Sequence, residues 1–136
     1  MLGRLNHIGI ATPSLAAAVE TYRNFFGDVT VSDIIELPEQ QVRVQFVDAP
    51  NSQLELLEPM GEGGPIASFL EKNPRGGQHH LAFEVEDIWA AKADMEKKGA
   101  TVLNEPRIGA HGTLVVFVHP RDFHGVLIEL METPQH

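Results

Sequence analysis

The 136-residue chain contains no cysteine. This excludes disulfides, thiolate metal sites and the thiol pairs that some racemases use, and it suits a reducing compartment. No apolar run approaches the about 20 residues that a membrane-spanning helix needs, and Pro13 interrupts the start before a signal-like stretch can develop. We therefore expect a cytoplasmic protein that does not enter a membrane.

Basic residues are also scarce, since 10 Lys and Arg stand against 19 Asp and Glu, for a formal net charge of −9. An acidic chain without a basic cluster argues against nucleic-acid binding. It leaves an anionic small molecule open, because local arginines such as Arg75, Arg107 and Arg121 could gather at one site. The hydrophobic fraction of 43% is enough for a folded core.

The chain contains an internal repeat. The segments "NHIGIATPSLAAAVETYRNFFG" and "HHLAFEVEDIWAAKADMEKKGA" each read as an apolar strand, a polar break and an amphipathic helix. Ser14 and Asp87 stand where helix N-caps belong, and Gly27 and Gly99 where C-terminal caps belong. Further strand-like runs follow in both halves: "VTVSDIIEL" and "VRVQFV" in the first, "ATVL" and "TLVVFVH" in the second.

The halves end on matching strands, "LELLEP" at Leu54–Pro59 and "IELMETP" at Ile128–Pro134. Each half thus reads as βαβββ and is too small to bury much surface alone. We predict an α+β fold of two tandem βαβββ modules in a single domain over residues 1–136, with module 1 at about 4–60 and module 2 at about 78–133. The linker, residues 61–77, contains a candidate short helix at Pro65–Lys72.

Strand alternation separates the adjacent histidines of "GGQHHLAFEV". His80 shares a face with Ala82, whereas His79 shares the other with Leu81 and Phe83. Because the larger apolar residues should lie under a helix, we assign His79 to the packed side. His80 then projects from the face with small residues, as does its repeat partner His7.

Two glutamates occupy matching positions within apolar strands, Glu55 in the first half and Glu129 in the second. A carboxylate there is costly unless it is paired or binds a metal. Two imidazoles and two carboxylates suit a divalent ion such as Co, Ni, Mn, Fe or Zn, with positions left for water or substrate. We therefore predict a metal site of His7, Glu55, His80 and Glu129. Glu58 and Glu132, at the strand ends, are interpreted as solvated.

Several sequence segments resemble those of the methylmalonyl-CoA epimerases of the vicinal-oxygen-chelate (glyoxalase/bleomycin-resistance) superfamily. The resemblance rests on "NHIGIA", "QLELLEP", "GPIASFLEKN", "GGQHHLAFEVEDI", "EPRIGAHG", "VFVHP" and "GVLIEL", and runs over nearly the whole chain. It implies modules arranged as a U-shaped open barrel, a ligand role for His7, Glu55, His80 and Glu129, and Co²⁺ as the metal, with Mn²⁺, Ni²⁺ or Zn²⁺ as alternatives. It also implies a homodimer in propionate metabolism that interconverts (R)- and (S)-methylmalonyl-CoA.

Such a reaction needs a base at the acidic α-carbon and stabilisation of the enolate beside a divalent metal. We assign proton transfer to Glu129 and Glu55. Some relatives carry a glutamate base in the third strand, where this chain has "VRVQFV", so the second base is open and His119 is a fallback. The residues predicted to bind substrate lie in that strand and in the "RIGAHG" loop: Gln45, Arg107, Gly109, His111 and Gly112.

Three other functions stay open as alternatives. A glyoxalase I-type lactoylglutathione lyase has the same ligand types, and an Fe(II) dioxygenase uses two histidines and one carboxylate. A metal-free small-molecule-binding module would need no ligands at all. The fold hosts each of these functions, so the fold does not choose among them.

Overall fold

The computed structural model describes residues 2–134. They divide into two compact units, one of residues 7–79 and one of residues 2–6 with 80–134. The linker therefore belongs with the first half, and residues 2–6 belong with the second. That residues 1–136 form a single domain stays a prediction. Residues 1, 135 and 136 of that range lie outside the residues that the structure describes.

The unit of residues 7–79 contains most of β1 (Leu5–Ala11), followed by α1 (Leu15–Phe26), β2 (Thr30–Val31), β3 (Ile35–Leu37), a 3₁₀ turn (Pro38–Gln40), β4 (Val42–Ala49), β5 (Ser52–Pro59) and α2 (Pro65–Lys72). Its strands are ordered β2-β4-β5-β1, and β3 also pairs with β4. β1 runs parallel to β5, and the other pairs are antiparallel.

The other unit repeats this plan. It contains most of β6 (Gly77–Val85), then α3 (Ile88–Lys97), β7 (Arg107–Ile108), β8 (Leu114–Val118), a 3₁₀ turn (Pro120–Phe123) and β9 (Ile128–Glu132). The strand order is β6-β9-β8-β7, with β6 parallel to β9. β8 is antiparallel to both β7 and β9.

The predicted helices are confirmed. The Ser14 hydroxyl accepts a hydrogen bond from the Ala17 N–H at 3.1 Å, and the Asp87 carboxylate accepts from two N–H groups at 3.0 and 3.1 Å. Gly27 caps α1 with φ 77°, a left-handed value that glycine adopts without strain. In α3 the cap is Lys98, one residue before the predicted Gly99.

The strands differ from the prediction in three places. The run "VTVSDIIEL" is interrupted at Ser32, whose hydroxyl donates to the Asp33 carbonyl and separates β2 from β3. In "ATVL", Val102 forms only an isolated bridge to Val118. Part of the "RIGAHG" loop, Arg107–Ile108, is instead strand β7.

Each unit packs its larger apolar side chains under a helix, as predicted. Leu15, Val19, Val47 and Leu56 form one core cluster, joined by Ile10. The other cluster consists of Ile88, Val116, Val118, Ile128 and Leu130, against which Leu81 and Phe83 pack. Within residues 2–134, no helix has the length and apolar character required to cross a membrane.

The interpretation of Glu58 and Glu132 as solvated was wrong. Glu58 Oε1 accepts from the N–H of Leu15, the first residue of α1, at 3.0 Å. Glu132 Oε2 accepts from the N–H of Ile88, the first residue of α3, also at 3.0 Å. Both carboxylates are half-buried and satisfy helix-terminal N–H groups that have no intrahelical partner.

Candidate active site

The first unit buries a histidine and a glutamate side by side. His7 on β1 is 1% exposed and Glu55 on β5 is 6% exposed, with 3.5 Å between His7 Nε2 and Glu55 Oε1. Gly9 is the residue directly opposite Glu55 in the parallel pair of strands. The carboxylate therefore lies beside a residue without a side chain, which leaves room for it to approach the imidazole two residues earlier.

The second unit contains the same arrangement. His80 on β6 and Glu129 on β9 are buried, and 3.1 Å separates His80 Nε2 from Glu129 Oε1. Opposite Glu129 stands Ala82, which is fully buried and again small. The repeat seen in the sequence is thus a repeat of a buried His–Glu pair.

Both pairs fit the ligation of a divalent metal. Two atoms that bind one ion at about 2.0–2.2 Å lie about 3.0–3.5 Å apart, depending on the angle between them. The Nε2–Oε1 distances of 3.5 and 3.1 Å fall at this separation. Imidazole nitrogen and carboxylate oxygen are donors that Co²⁺, Ni²⁺, Mn²⁺ and Zn²⁺ accept.

Buried apolar side chains surround each pair on its strand face. In the first unit, the buried residues of β4 on the same face as Glu55 are Val42, Val44 and Phe46. In the second unit, Ala82, Val115 and Met131 form a buried cluster, against which Phe117 packs. A buried carboxylate in such surroundings is costly unless a positive charge compensates it, which a bound metal would do.

A third buried carboxylate has a different neighbourhood. Glu84, on the same face of β6 as His80, accepts a hydrogen bond from the Asn6 amide at 2.9 Å and lies 3.6 Å from the Arg4 guanidinium. Its charge is therefore matched by a protein cation within the same unit.

Gln45 lies away from the His7–Glu55 pair. It stands opposite Leu56, on the face of β4 that also carries Val47, and its amide donates to the Ser32 carbonyl at 2.9 Å. Alternation places it on the reverse side from Phe46 and Glu55. Its substrate role stays a prediction, and the structure does not bring it together with the carboxylate.

The "RIGAHG" loop forms a tight turn. The Gly109 N–H donates to the Thr113 carbonyl at 2.9 Å and the Gly112 N–H to the Gly109 carbonyl at 3.0 Å. These two N–H groups therefore stabilise the turn itself. Arg107 is exposed and His111 is half-buried. Substrate binding by Arg107, Gly109, His111 and Gly112 stays a prediction.

The other two histidines of interest have structural contacts. His79 is half-buried rather than fully packed, and its ring meets Phe69 edge-on at a centroid distance of 5.3 Å. His119 Nδ1 accepts from the Arg121 N–H at 3.0 Å and so caps the 3₁₀ turn.

Two phenylalanines beside the ligand glutamates were not predicted as site residues from the sequence. Phe46 stands directly opposite Glu55, and Phe117 directly opposite Glu129, on neighbouring antiparallel strands. Both residues belong to strands that the sequence predicted, but their pairing depends on a register that the repeat alone does not give.

Comparison with known proteins shows the family to which the chain belongs. A family model described as the Glyoxalase/Bleomycin resistance protein/Dioxygenase superfamily matches residues 6–117. An ethylmalonyl-CoA/methylmalonyl-CoA epimerase of Cereibacter sphaeroides is 54% identical over 132 residues, covering 96% of this chain and 98% of that protein. The chain belongs to the methylmalonyl-CoA epimerase family.

Other members of the epimerase family are similar over most of their length. The human mitochondrial methylmalonyl-CoA epimerase is 50% identical over 130 residues, covering 95% of this chain and 73% of that protein. One similar solved structure is a methylmalonyl-CoA epimerase in complex with methylmalonyl-CoA and NH₄⁺. It is 41% identical with a TM-score of 0.88, covering 98% of this chain and 96% of that one. The predicted fold class, two tandem βαβββ modules of the glyoxalase-like fold, is confirmed.

Proposed function

We propose that this chain is a metal-dependent methylmalonyl-CoA epimerase that interconverts the (R) and (S) forms of its acyl-CoA substrate. The observation that carries the proposal is the buried His–Glu pair found once in each unit of a chain 54% identical to a named epimerase. We further propose that His7, Glu55, His80 and Glu129 hold one ion together. The repeat of the two pairs and their burial support this.

The carboxylates carry the proton in the proposed reaction. The α-carbon of methylmalonyl-CoA lies between a thioester and a carboxylate, so its C–H bond is acidic. A bound divalent ion supplies Lewis-acid stabilisation of the negative charge that develops on the substrate oxygens, worth several kcal/mol. An oxygen of Glu129 or Glu55 accepts the proton, the C–H electron pair stays on the substrate, and a proton returned to the opposite face inverts the centre.

The first unit supports Glu55 as the base on its side. The buried β4 residues on that face, Val42, Val44 and Phe46, have no group that can accept a proton. His119, the fallback, already accepts a hydrogen bond at Nδ1. We therefore assign the two proton-transfer roles to Glu55 and Glu129.

Substrate choice tests the proposal against its rivals. Purified, metal-loaded protein is supplied separately with (S)-methylmalonyl-CoA, the glutathione hemithioacetal of methylglyoxal, and a catechol with O₂. We expect epimerisation of the first and no turnover of the other two. Turnover of the hemithioacetal alone would establish a glyoxalase I-type lyase, and O₂ consumption with the catechol alone a dioxygenase.

Metal dependence tests the binding-module alternative. After chelation with EDTA and removal of the chelator, we expect epimerase activity to disappear and to return on addition of Co²⁺. Activity that survives complete metal removal would contradict a metal-dependent reaction. Parallel additions of Mn²⁺, Ni²⁺ and Zn²⁺ compare the other candidate ions, and we propose Co²⁺ as the most effective.

We also propose a homodimer in the cytoplasm. Phe25 and Phe26 on α1 are 79% and 73% exposed, which supports an apolar contact with a second copy. The cysteine-free composition suits a reducing compartment. Light scattering during size-exclusion chromatography measures the mass, and cell fractionation measures the location.

A further inference from the structure

In each unit a phenylalanine stands next to the buried His–Glu pair. Phe46 opposes Glu55 and Phe117 opposes Glu129 in the strand register. Directly opposed residues of antiparallel strands project to the same face, with Cβ atoms about 4.5–5.5 Å apart. Phe117 also meets the His80 ring edge-to-face, with centroids 5.5 Å apart and an interplanar angle of 90°. One aromatic ring therefore adjoins both members of the second pair.

The main chain of each phenylalanine is hydrogen-bonded to a segment that lies earlier in the same unit. The Phe46 N–H donates to the Ser32 hydroxyl and its carbonyl accepts from the Ser32 N–H, both at 2.9 Å. The Phe117 N–H donates to Asn104 Oδ1 and its carbonyl accepts from the Leu103 N–H, both at 2.8 Å. In each case a side-chain oxygen, rather than a main-chain carbonyl of a neighbouring strand, accepts from the N–H of the phenylalanine that stands opposite the glutamate.

The Asn104 side-chain amide forms hydrogen bonds with two residues of β8. Besides accepting from Phe117, it donates through Nδ2 to the Val115 carbonyl at 3.2 Å and to the Glu105 carbonyl at 2.8 Å. These bonds connect residues 115 and 117, whose side chains lie on the face that carries the His80–Glu129 pair. The position of the Phe117 ring is therefore set by several hydrogen bonds as well as by packing.

We propose that Phe46 and Phe117 are positioning residues for the metal ligands, and that Ser32 and Asn104 hold them in place. The ring of Phe117 limits rotation of the His80 imidazole, because turning the imidazole would break the edge-to-face contact. Each ring also occupies the space beside a ligand carboxylate, which restricts that carboxylate to rotamers directed at its histidine. This inference rests on the proposed function, since it assigns the positioned groups to a metal.

The test measures the binding of Co²⁺ alone, by calorimetry and by the visible spectrum of the bound ion. Residues that orient metal ligands typically change affinity by about 10- to 100-fold when replaced. We expect Phe117→Leu to weaken Co²⁺ binding about tenfold, at the lower end of that range, and to shift the spectrum. Phe46→Leu should have the same effect from the other unit.

Further variants distinguish positioning from loss of fold. Phe83→Leu is the matched control, because Phe83 packs on the α3 side of the same unit, and it should bind Co²⁺ as the wild type does. Asn104→Ala should weaken binding without altering any side chain next to the ion. Asn104→Asp keeps an oxygen for the Phe117 N–H and should recover most of the affinity. All measurements are made well below each variant's unfolding temperature.

The outcomes separate the two proposals. Wild-type affinity and spectrum in Phe117→Leu and Asn104→Ala would overturn the positioning role while leaving the metal site intact. Equal weakening in Phe83→Leu would also overturn it, since the effect would then follow from any lost aromatic ring. A wild-type protein that binds no divalent ion would instead refute the proposed metal site, and with it this inference.

Discussion

Metal binding should raise the thermal stability of the folded chain, and His80 should be needed for the effect. An ion that binds only the folded state stabilises it by about 2.7 kcal/mol when its free concentration is 100 times the dissociation constant. The buried donors His80 and Glu129 lie 3.1 Å apart only in the folded strands, so the unfolded chain lacks this arrangement.

The expected shift follows from the length of the chain. At about 2.1 cal/mol/K per residue, unfolding 136 residues has an entropy of about 0.29 kcal/mol/K. A stabilisation of about 2.7 kcal/mol then raises the midpoint of thermal unfolding by about 9 °C. Differential scanning calorimetry with and without Co²⁺ measures the shift directly.

The adjacent histidines provide a variant and its control. His80→Ala removes a proposed ligand and should abolish most of the Co²⁺-dependent shift. His79→Ala removes a half-buried ring that contacts Phe69 and should retain the full shift, although its metal-free protein is itself less stable. Comparing each variant with and without metal cancels such intrinsic changes. A full shift in His80→Ala, or its loss in His79→Ala, would refute the assignment of the two histidines.

Three further predictions concern catalysis, capping and charge. Glu129→Gln keeps an oxygen ligand but no base, so the epimerisation rate should fall by about 10²–10⁴; an unchanged rate in a coupled assay would remove the assigned role. Glu132→Ala leaves an N–H at the start of α3 unpaired and should lower the free energy of unfolding by about 1–2 kcal/mol in urea titrations, whereas the exposed Glu62→Ala should not change it. The hydrogen bond from Lys98 lowers the pKa of Asp94, so the ion pair stabilises the fold above the ordinary Asp pKa and loses this effect as pH falls through the lowered value. Lys98→Gln should return that pKa towards its ordinary range in a carboxyl NMR titration, and an unmoved pKa would contradict the stated cause.

The sequence predicted the features that follow from periodicity. Alternation separated His80 from His79, and the repeat connected His80 with His7 and Glu129 with Glu55. Helix bounds followed from capping residues such as Ser14 and Asp87, because those side chains act on N–H groups only two or three residues away. Helix caps and the two-residue alternation of strands can both be predicted from the sequence, because each depends on residues that are close along the chain.

The missed features depend on contacts between distant residues. Glu132 was interpreted as solvated because its N–H partner, Ile88, lies 44 residues earlier. At the strand break, the Ser32 hydroxyl also accepts from the N–H of Phe46, which lies 14 residues later on another strand. Likewise, Phe117 adjoins Glu129 only in the observed register, and a shift by one residue would place it on the opposite face.

The most direct test follows the α-proton and the configuration of one substrate molecule together. Metal-loaded protein is incubated in D₂O with a single epimer of methylmalonyl-CoA, and both deuterium at the α-carbon and the ratio of epimers are measured over time. We expect the opposite epimer to appear with deuterium at its α-carbon, and we expect neither change with Glu55→Gln and Glu129→Gln combined. Unchanged configuration and no deuterium incorporation with the wild-type protein would contradict the proposed epimerisation.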